Sequence, residues 1–528
     1  MNEKIHIFDS SLRDGAQGSG ISYSLEDKIK ITKQLDILGV DYIEAGNPGS
    51  NQKDREYFDA MNKQSLKSAT LVAFGSTRRK NIEVEKDINI QNLLSANTKA
   101  ISIFGKSWDF HVKSVIVTTL EENLKMIYDT IRYLKSCGKE VIYDAEHFFD
   151  GFKANPTYAV ETLKMAQSAG ADCLVLCDTN GGCFPDDVYT ITKNLRENLS
   201  CEIGIHCHND IGVAVANSLM AVKAGATHVQ GTFLGIGERC GNANLSTIIS
   251  NMQVKWGYHC IDDSMISELT PAARYIAEVT NIPLDHSMPY VGANAFAHKG
   301  GMHIDGIMKA KSSFEHIDPE FVGNNRKFLM SEVSGKNTVI NRINKIDPSI
   351  TKDSAVTKEI VELLKSLESD GYQFEGAEAS FELVIRKHLG LYKPFFSLEY
   401  YKIIEEEEAG SVKNDCTASA MIKVMVKGKT EMTAAEGNGP VNAIDKAIRK
   451  ALGLFYGNLK DFHLSDYKVR VLDGTNTAAK VRVLIESTDG EDFWTTVGVS
   501  TNIIEASVDA LVDSIEYKLT RDLENERN

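Results

Sequence analysis

His206-Cys207-His208 places two imidazoles two residues apart. On a β-strand, residues i and i+2 point to the same side, so both rings can face one metal ion. The same spacing also suits two histidines that only hydrogen-bond at a strand end. Asp14 offers a carboxylate, and Arg13 beside it a fixed guanidinium able to stabilise negative charge developing on oxygen. One carboxylate and two imidazoles, with open positions for substrate and water, form the donor set of a divalent Lewis-acid site. Ligand softness alone does not separate Zn, Mn, Co and Mg.

These groups meet only if the chain brings them together. The first 255 residues alternate short apolar runs with amphipathic stretches. Strands are expected at Ile5–Asp9, Tyr42–Glu44, Leu71–Phe74, Ala100–Phe104, Val141–Asp144, Cys173–Cys177, Ile203–His206 and His228–Gly231. Helices are expected between them, among them Leu25–Leu38, Thr119–Ser136, Pro156–Ala169 and Val213–Ala224, several closing on glycine. Eight such units predict a (β/α)₈ TIM barrel in preference to a doubly wound sheet. Asp14, just past the first strand, then lies near strand eight, next to the strand-seven end that carries the histidines. Asp9, Arg13, Glu44, Asp144–Glu146, Asp178, Thr179 and Gly235–Asn242 also fall at strand C-terminal ends, where barrel chemistry gathers.

The strand–helix rhythm stops near Asn251. The reading is a barrel over 1–260, a helical linker over 261–385 and a C-terminal α+β domain over 386–528. In that last domain Ala418–Val426 and Lys468–Ser487 read as β-type runs, each followed by a helix, Gly439–Leu452 and Asn502–Leu519. Asn442, Ala443 and Ala447 recur as Glu505, Ala506 and Ala510, a 63-residue offset that signals a duplicated sheet-and-helix unit. Glu405–Glu408 reads as a solvated charge run.

The 528 residues carry 58 basic and 73 acidic side chains, a net −15 that argues against nucleic-acid or anionic-membrane binding. No apolar run reaches the ~18 residues of a membrane span, and the N-terminus has no apolar signal core, so a cytoplasmic location is expected. The nine cysteines show no paired CxxC spacing and read as reduced, mostly buried thiols.

Phe8–Gln17 (FDSSLRDGAQ), Gly204–Asp210 (GIHCHND), Gly235–Asn242 (GIGERCGN) and Ala297–Gly306 (AHKGGMHIDG) resemble, in order, four motifs of the α-isopropylmalate synthase, homocitrate synthase and HMG-CoA lyase superfamily. The duplicated C-terminal domain is similar to the regulatory domain of its synthases, so the resemblance covers almost the whole chain. Asn47–Asp54 (NPGSNQKD) and Tyr143–Asp150 (YDAEHFFD) resemble the citramalate synthase branch. That likeness implies condensation of acetyl-CoA with pyruvate, a homodimer and inhibition by isoleucine. The alternatives are an isopropylmalate or homocitrate synthase with a larger pocket, or a ligand-sensing paralogue without catalysis.

The resemblance implies Asp14, His206 and His208 as metal ligands and Asn242 as a weaker ligand or its support. It implies Arg13 and Thr179 on the substrate, Asp144 shaping the 2-oxo-acid pocket, and Glu146 as the base that forms the enolate. His303 would activate the hydrolytic water, from within the chain or from the other subunit, while His298 is structural. Simpler readings stand beside these: Arg13 paired with an acidic rim residue, Thr179 capping a helix, Glu146 in a salt bridge. Eleven residues past His303 the family usually carries tyrosine and this chain has Phe314, and Ala45 and Asn47 replace the more usual Gly and Trp. Cys240 reads as a small packing residue, since the implied reaction needs no covalent enzyme intermediate, and Gly235–Gly241 lacks dinucleotide-loop spacing.

Overall fold

The structure, a computed structural model, describes residues 3–299, 301–328, 340, 343–344, 346–351, 354–374, 376–405, 418–472, 479–490 and 492–525. Gly300, Cys416, Glu406–Glu408 and the 473–478 part of the run Lys468–Ser487 lie outside the described residues. The chain divides into two compact units, Met1–Ala297 with Glu315–Lys327, and His298–Phe314 with Phe328–Asn528.

Eight parallel strands close the first unit into a barrel. They are β1 (His6–Asp9), β2 (Tyr42–Glu44), β3 (Thr70–Ser76), β4 (Ala100–Lys106), β5 (Glu140–Glu146), β6 (Cys173–Asp178), β7 (Glu202–Cys207) and β8 (His228–Gly231). Each pairs with the next, and β1 pairs with β8 from His6↔His228 to Asp9↔Gly231. The TIM-barrel expectation therefore holds, and the doubly wound alternative falls.

Strands and the four named helices begin and end within two residues of where the sequence places them. The small differences matter at two places, because β4 runs on to Lys106 and β5 to Glu146. All six residues of β6 are buried, as parallel strands covered on both faces require. Side chains alternate along each strand. Phe8, Val72, Ala100, Ile142, Val175 and Cys177 form one cluster, while Ile7, Ile43, Ala73, Ile101 and Leu174 pack in the larger core with the helices.

Local chemistry sets the helix ends. Ser24 and Asp27 make a reciprocal capping box at Leu25–Leu38, and Gly39 ends that helix at a left-handed φ of 89°. The core also takes in Leu269, Ala273 and Ile276 of the helix Leu269–Thr280, so the compact barrel unit extends beyond residue 260. Cys173, Cys177, Cys183, Cys207 and Cys260 are buried free thiols. Among the described residues, no helix is long and apolar enough to cross a membrane.

In the second unit the duplication is plain. Strands Ser397–Glu405, Ala418–Val426 and Lys429–Gly437 form one antiparallel sheet, followed by the helix Pro440–Leu452. Strands His463–Val471, Val481–Thr488 and Phe493–Ser500 form the second, followed by Ile503–Asn525. The single run expected at Lys468–Ser487 is thus two strands, and three further strands were not foreseen from sequence. Exposed residues along Ser397–Glu405 and Lys429–Gly437 weaken the apolar signal that a fully buried strand carries.

Both helices lie close on their sheets at a glycine. A Cβ on Gly437 would sit 2.5 Å from the backbone N of Ala443, and one on Gly498 2.0 Å from the carbonyl O of Ala506. Gly498→Ala is expected to destabilise the second unit by about 1–3 kcal/mol through overpacking, as read by urea denaturation. Gly439→Ala, whose Cβ would meet nothing within 4 Å, is expected to leave the midpoint within error.

Candidate active site

The turn after β1 presents Arg13 and Asp14. Backbone N–H groups of Arg13 and Gly15 both donate to Ser10 O, and the Asp14 N–H donates to Ser10 Oγ at 3.3 Å, fixing the turn. His206 lies within β7 and His208 just beyond it, so both rings emerge on one side. Their Nε2 atoms stand 3.7 and 3.8 Å from Asp14 Oδ2, and one ligand atom from each of the three residues lies within 4.8 Å of the others.

The residues around this triad fit a metal ion. His206 Nδ1 lies 3.0 Å from Gln230 Oε1 on β8, a contact that places the ring proton on Nδ1 and leaves Nε2 bare. Gln230 Nε2 in turn donates to Asp144 Oδ1 at 3.0 Å. Burial, aided by the neighbouring His208, pushes His206 down to about 3, and burial also lowers His208. Both imidazoles are therefore neutral donors near pH 7. Burial alone would raise Asp14, but Arg13 and the two histidines hold its carboxyl well below the usual range. Asn242 Nδ2 donates to Asp14 Oδ1 at 2.9 Å, while Asn242 Oδ1 is buried without a partner. One side chain thus steers the carboxylate and offers a further oxygen.

Arg13 bridges two carboxylates. Its Nε donates to Glu44 Oε2 at 2.6 Å and its Nη1 to Asp14 Oδ2 at 2.8 Å, and the guanidinium lies 3.9 Å above the Phe74 ring centre. The pairing with an acidic rim residue is real, and it holds the guanidinium at the metal side of the site. Asp144 accepts from Ser102 Oγ at 2.7 Å, and burial with the nearby Glu44 pushes it up to about 7. Glu146 pairs with Lys106. Thr179 Oγ1 accepts from the backbone N–H of His147 at 2.9 Å, at the start of the helix Phe148–Ala154, which leaves its own proton to donate.

Arg13, Asp14, Asp144, Glu146, Thr179, His206 and His208 line one cavity of about 240 Å³. Phe74 and Phe104, stacked at 5.4 Å between ring centres, form its apolar wall. A second cavity, of about 440 Å³, is lined by Ser76–Lys80, Ile82, Phe104–Lys106, Ile116, Asn123 and Met126, so Phe104 borders both. His303 belongs to the second unit, on the helix Gly301–Lys309, where it stacks on Phe314 at 4.2 Å. Cys240 is exposed, not packed, in the exposed stretch Glu238–Cys240.

Sequence reasoning missed Gln230, Lys106 and the two phenylalanines. A glutamine inside a predicted barrel strand was the signal for Gln230, and a charge closing β4 the signal for Lys106.

The HMGL-like family description matches residues 4–271, the homocitrate synthase post-HMGL domain-like description 290–371, and the LeuA allosteric (dimerisation) domain 375–519. The chain is 50% identical over 527 residues to an (R)-citramalate synthase of Aquifex aeolicus, covering 99% of each. It is 49% identical over 523 residues to one of Geobacter sulfurreducens, again covering 99% of each. A 2-isopropylmalate synthase of Pyrococcus furiosus is 31% identical over 530 residues, covering 98% of this chain and 99% of its own.

Replacing Gln230 with Leu is expected to weaken divalent-metal affinity about 10–100-fold, since the supported histidine loses its tautomer and orientation. His206→Ala and His208→Ala are expected to lose more, in calorimetric titration of the metal-stripped protein. Wild-type affinity in either histidine variant would remove the metal assignment.

Proposed function

Because the chain belongs to the (R)-citramalate synthase family of HMGL-like enzymes, we propose a division of labour among its residues for condensing acetyl-CoA with pyruvate and water to (R)-citramalate and CoA, a step toward isoleucine. The observation that carries the reading is the small cavity in which Arg13, Thr179 and Glu146 surround a preformed Asp14–His206–His208 set.

A divalent ion held by Asp14, His206 and His208, with Asn242 Oδ1 as a further donor, would supply Lewis-acid polarisation of the 2-oxo acid. Zn, Mn, Co and Mg all suit that donor set. Thr179 donates its free hydroxyl proton to the substrate carboxylate. Arg13, anchored by Glu44, stabilises charge on the former keto oxygen without reorganising. Glu146 takes a methyl proton from acetyl-CoA. Asp144, held by Ser102 and Gln230, shapes the 2-oxo-acid pocket. His303 activates the water that cleaves the thioester, and Phe314, stacked on it, has no hydroxyl to help.

The Phe74–Phe104 wall favours the methyl group of pyruvate over the branched or carboxylated chains of larger 2-oxo acids. In the neighbouring cavity Ile82, Ile116 and Met126 suit an apolar pantetheine arm, while Arg79 and Lys80 suit its phosphates. CoA release measured against pyruvate, 2-oxobutanoate, 2-oxoisovalerate and 2-oxoglutarate is expected to be fastest with pyruvate. Glu146→Gln is expected to lower kcat by about 10²–10⁴-fold. A faster rate with 2-oxoisovalerate would turn the assignment to an isopropylmalate synthase.

The second unit is proposed to hold a homodimer together and to bind isoleucine. Its repeated helices start at equivalent turns, Gly439–Pro440 and Asn502–Ile503, whose N-termini favour an amino-acid carboxylate. Inhibition requires isoleucine to bind one conformational state better than another. Full-length enzyme is expected to slow at millimolar isoleucine, and a chain truncated after about residue 390 to lose that response. An unchanged full-length rate would leave the unit a structural role.

A further inference from the structure

We propose that Lys106 is a further catalytic residue, the cation that receives the negative charge of the acetyl-CoA thioester oxygen when Glu146 removes a methyl proton. The inference rests on the condensation reading above and deepens it.

Lys106 and Glu146 are the last residues of β4 and β5 and are direct partners in the strand register. Their side chains form an ion pair, 15% and 23% exposed respectively, at the mouth of the barrel. Glu146 lines the cavity that holds the metal-ligating set, and Lys106 lines the larger cavity next to it. The pair therefore spans the border that an acetyl group must cross if its CoA arm occupies one cavity and its methyl carbon meets a 2-oxo acid in the other. The lysine backbone is fixed there, since Asn123 Nδ2 donates to Lys106 O at 2.8 Å and the N–H of Ser107 donates to Glu146 O at 3.3 Å.

The arginine that lines the smaller cavity, Arg13, is held by Glu44 and Asp14 beside His206 and His208. It suits the oxygen of the 2-oxo acid, which leaves the thioester oxygen to a second cation. Lys106 has the reach and the timing. In the resting site its charge is matched by the Glu146 carboxylate. When the methyl C–H bond breaks, the proton passes to a Glu146 carboxylate oxygen and the C–H electron pair forms the enolate C=C bond. The carbonyl π pair moves onto the thioester oxygen. Glu146 thus loses its charge as the oxygen gains one, and the Lys106 ammonium exchanges one anionic partner for the other with no change in the net charge of the site. When the enolate carbon bonds to C2 of the 2-oxo acid, the thioester C=O re-forms and Lys106 is released. A mostly buried ion pair is weak evidence for stability, because desolvation offsets its attraction, whereas a donor aimed at a developing oxyanion acts mainly in the transition state.

The test uses manganese-loaded full-length enzyme with pyruvate and either acetyl-CoA or its trideuterated acetyl form. Lys106→Met is expected to lower kcat/KM for acetyl-CoA about 100-fold, with a deuterium isotope effect at least as large as that of wild type, because proton removal is the step made slower. Lys106→Arg, which keeps a cation, is expected to recover about tenfold of that loss, while Lys106→Gln is expected to behave as the Met variant. Metal content and the thermal midpoint are expected to match wild type in at least one of the two neutral variants. Activity within threefold of wild type in Lys106→Met, or a loss accompanied by a vanished isotope effect, would overturn the proposal. Wild-type enzyme that releases no CoA with any 2-oxo acid would instead sink the condensation reading itself.

Discussion

Closure of the barrel between β1 and β8 is the constraint on which the site depends. Four consecutive pairings, from His6↔His228 to Asp9↔Gly231, bring the start of the chain against its eighth strand. Only then does the turn carrying Asp14 stand over the end of β7 and reach His206 and His208. An open sheet with the same eight strands would leave the carboxylate and the imidazoles on different edges. The neighbouring β7–β8 pairing sets His206 opposite Gln230 in register, which lets Gln230 hold His206 by its Nδ1 proton.

Burying so many ionisable groups is costly unless each has a partner. The barrel mouth meets that cost with one connected network. Ser10 and Arg13 both donate to Glu44, Arg13 also donates to Asp14, and Asn242 holds the other oxygen of Asp14. From the opposite side Ser102 and Gln230 hold Asp144. The atoms left over, Asn242 Oδ1, Glu44 Oε1 and His208 Nδ1, are buried without partners in a region otherwise well satisfied.

The second unit solves a different problem with repetition. Each half pairs a three-stranded sheet with a helix, and a glycine at the end of the third strand lets the helix backbone approach. The buried faces of both halves share a single core in which Ile422, Val424, Ile444 and Ile448 join Val483, Ile485, Leu511 and Ile515. Each half therefore covers part of the other's apolar surface.

The sequence by itself determined what local physics records. Apolar runs of strand length, helix periods and glycine caps located the barrel elements to within two residues, and the His206–His208 spacing with Asp14 pointed to three groups that the fold brings close enough to share one metal ion. The family motifs added Arg13, Asp144, Glu146, Thr179 and Asn242, and the fold gathered all of these in one place. Ser397–Glu405 and Lys429–Gly437 escaped because one wet face dilutes the apolar signal. Tertiary structure alone decided the partners: that Gln230 fixes His206, that Arg13 is shared between Glu44 and Asp14, that Phe74 stacks on Phe104, and that Lys106 meets Glu146. Those contacts join residues far apart in the chain through strand register and barrel closure. Register is a property of paired strands, so no single segment of sequence contains it.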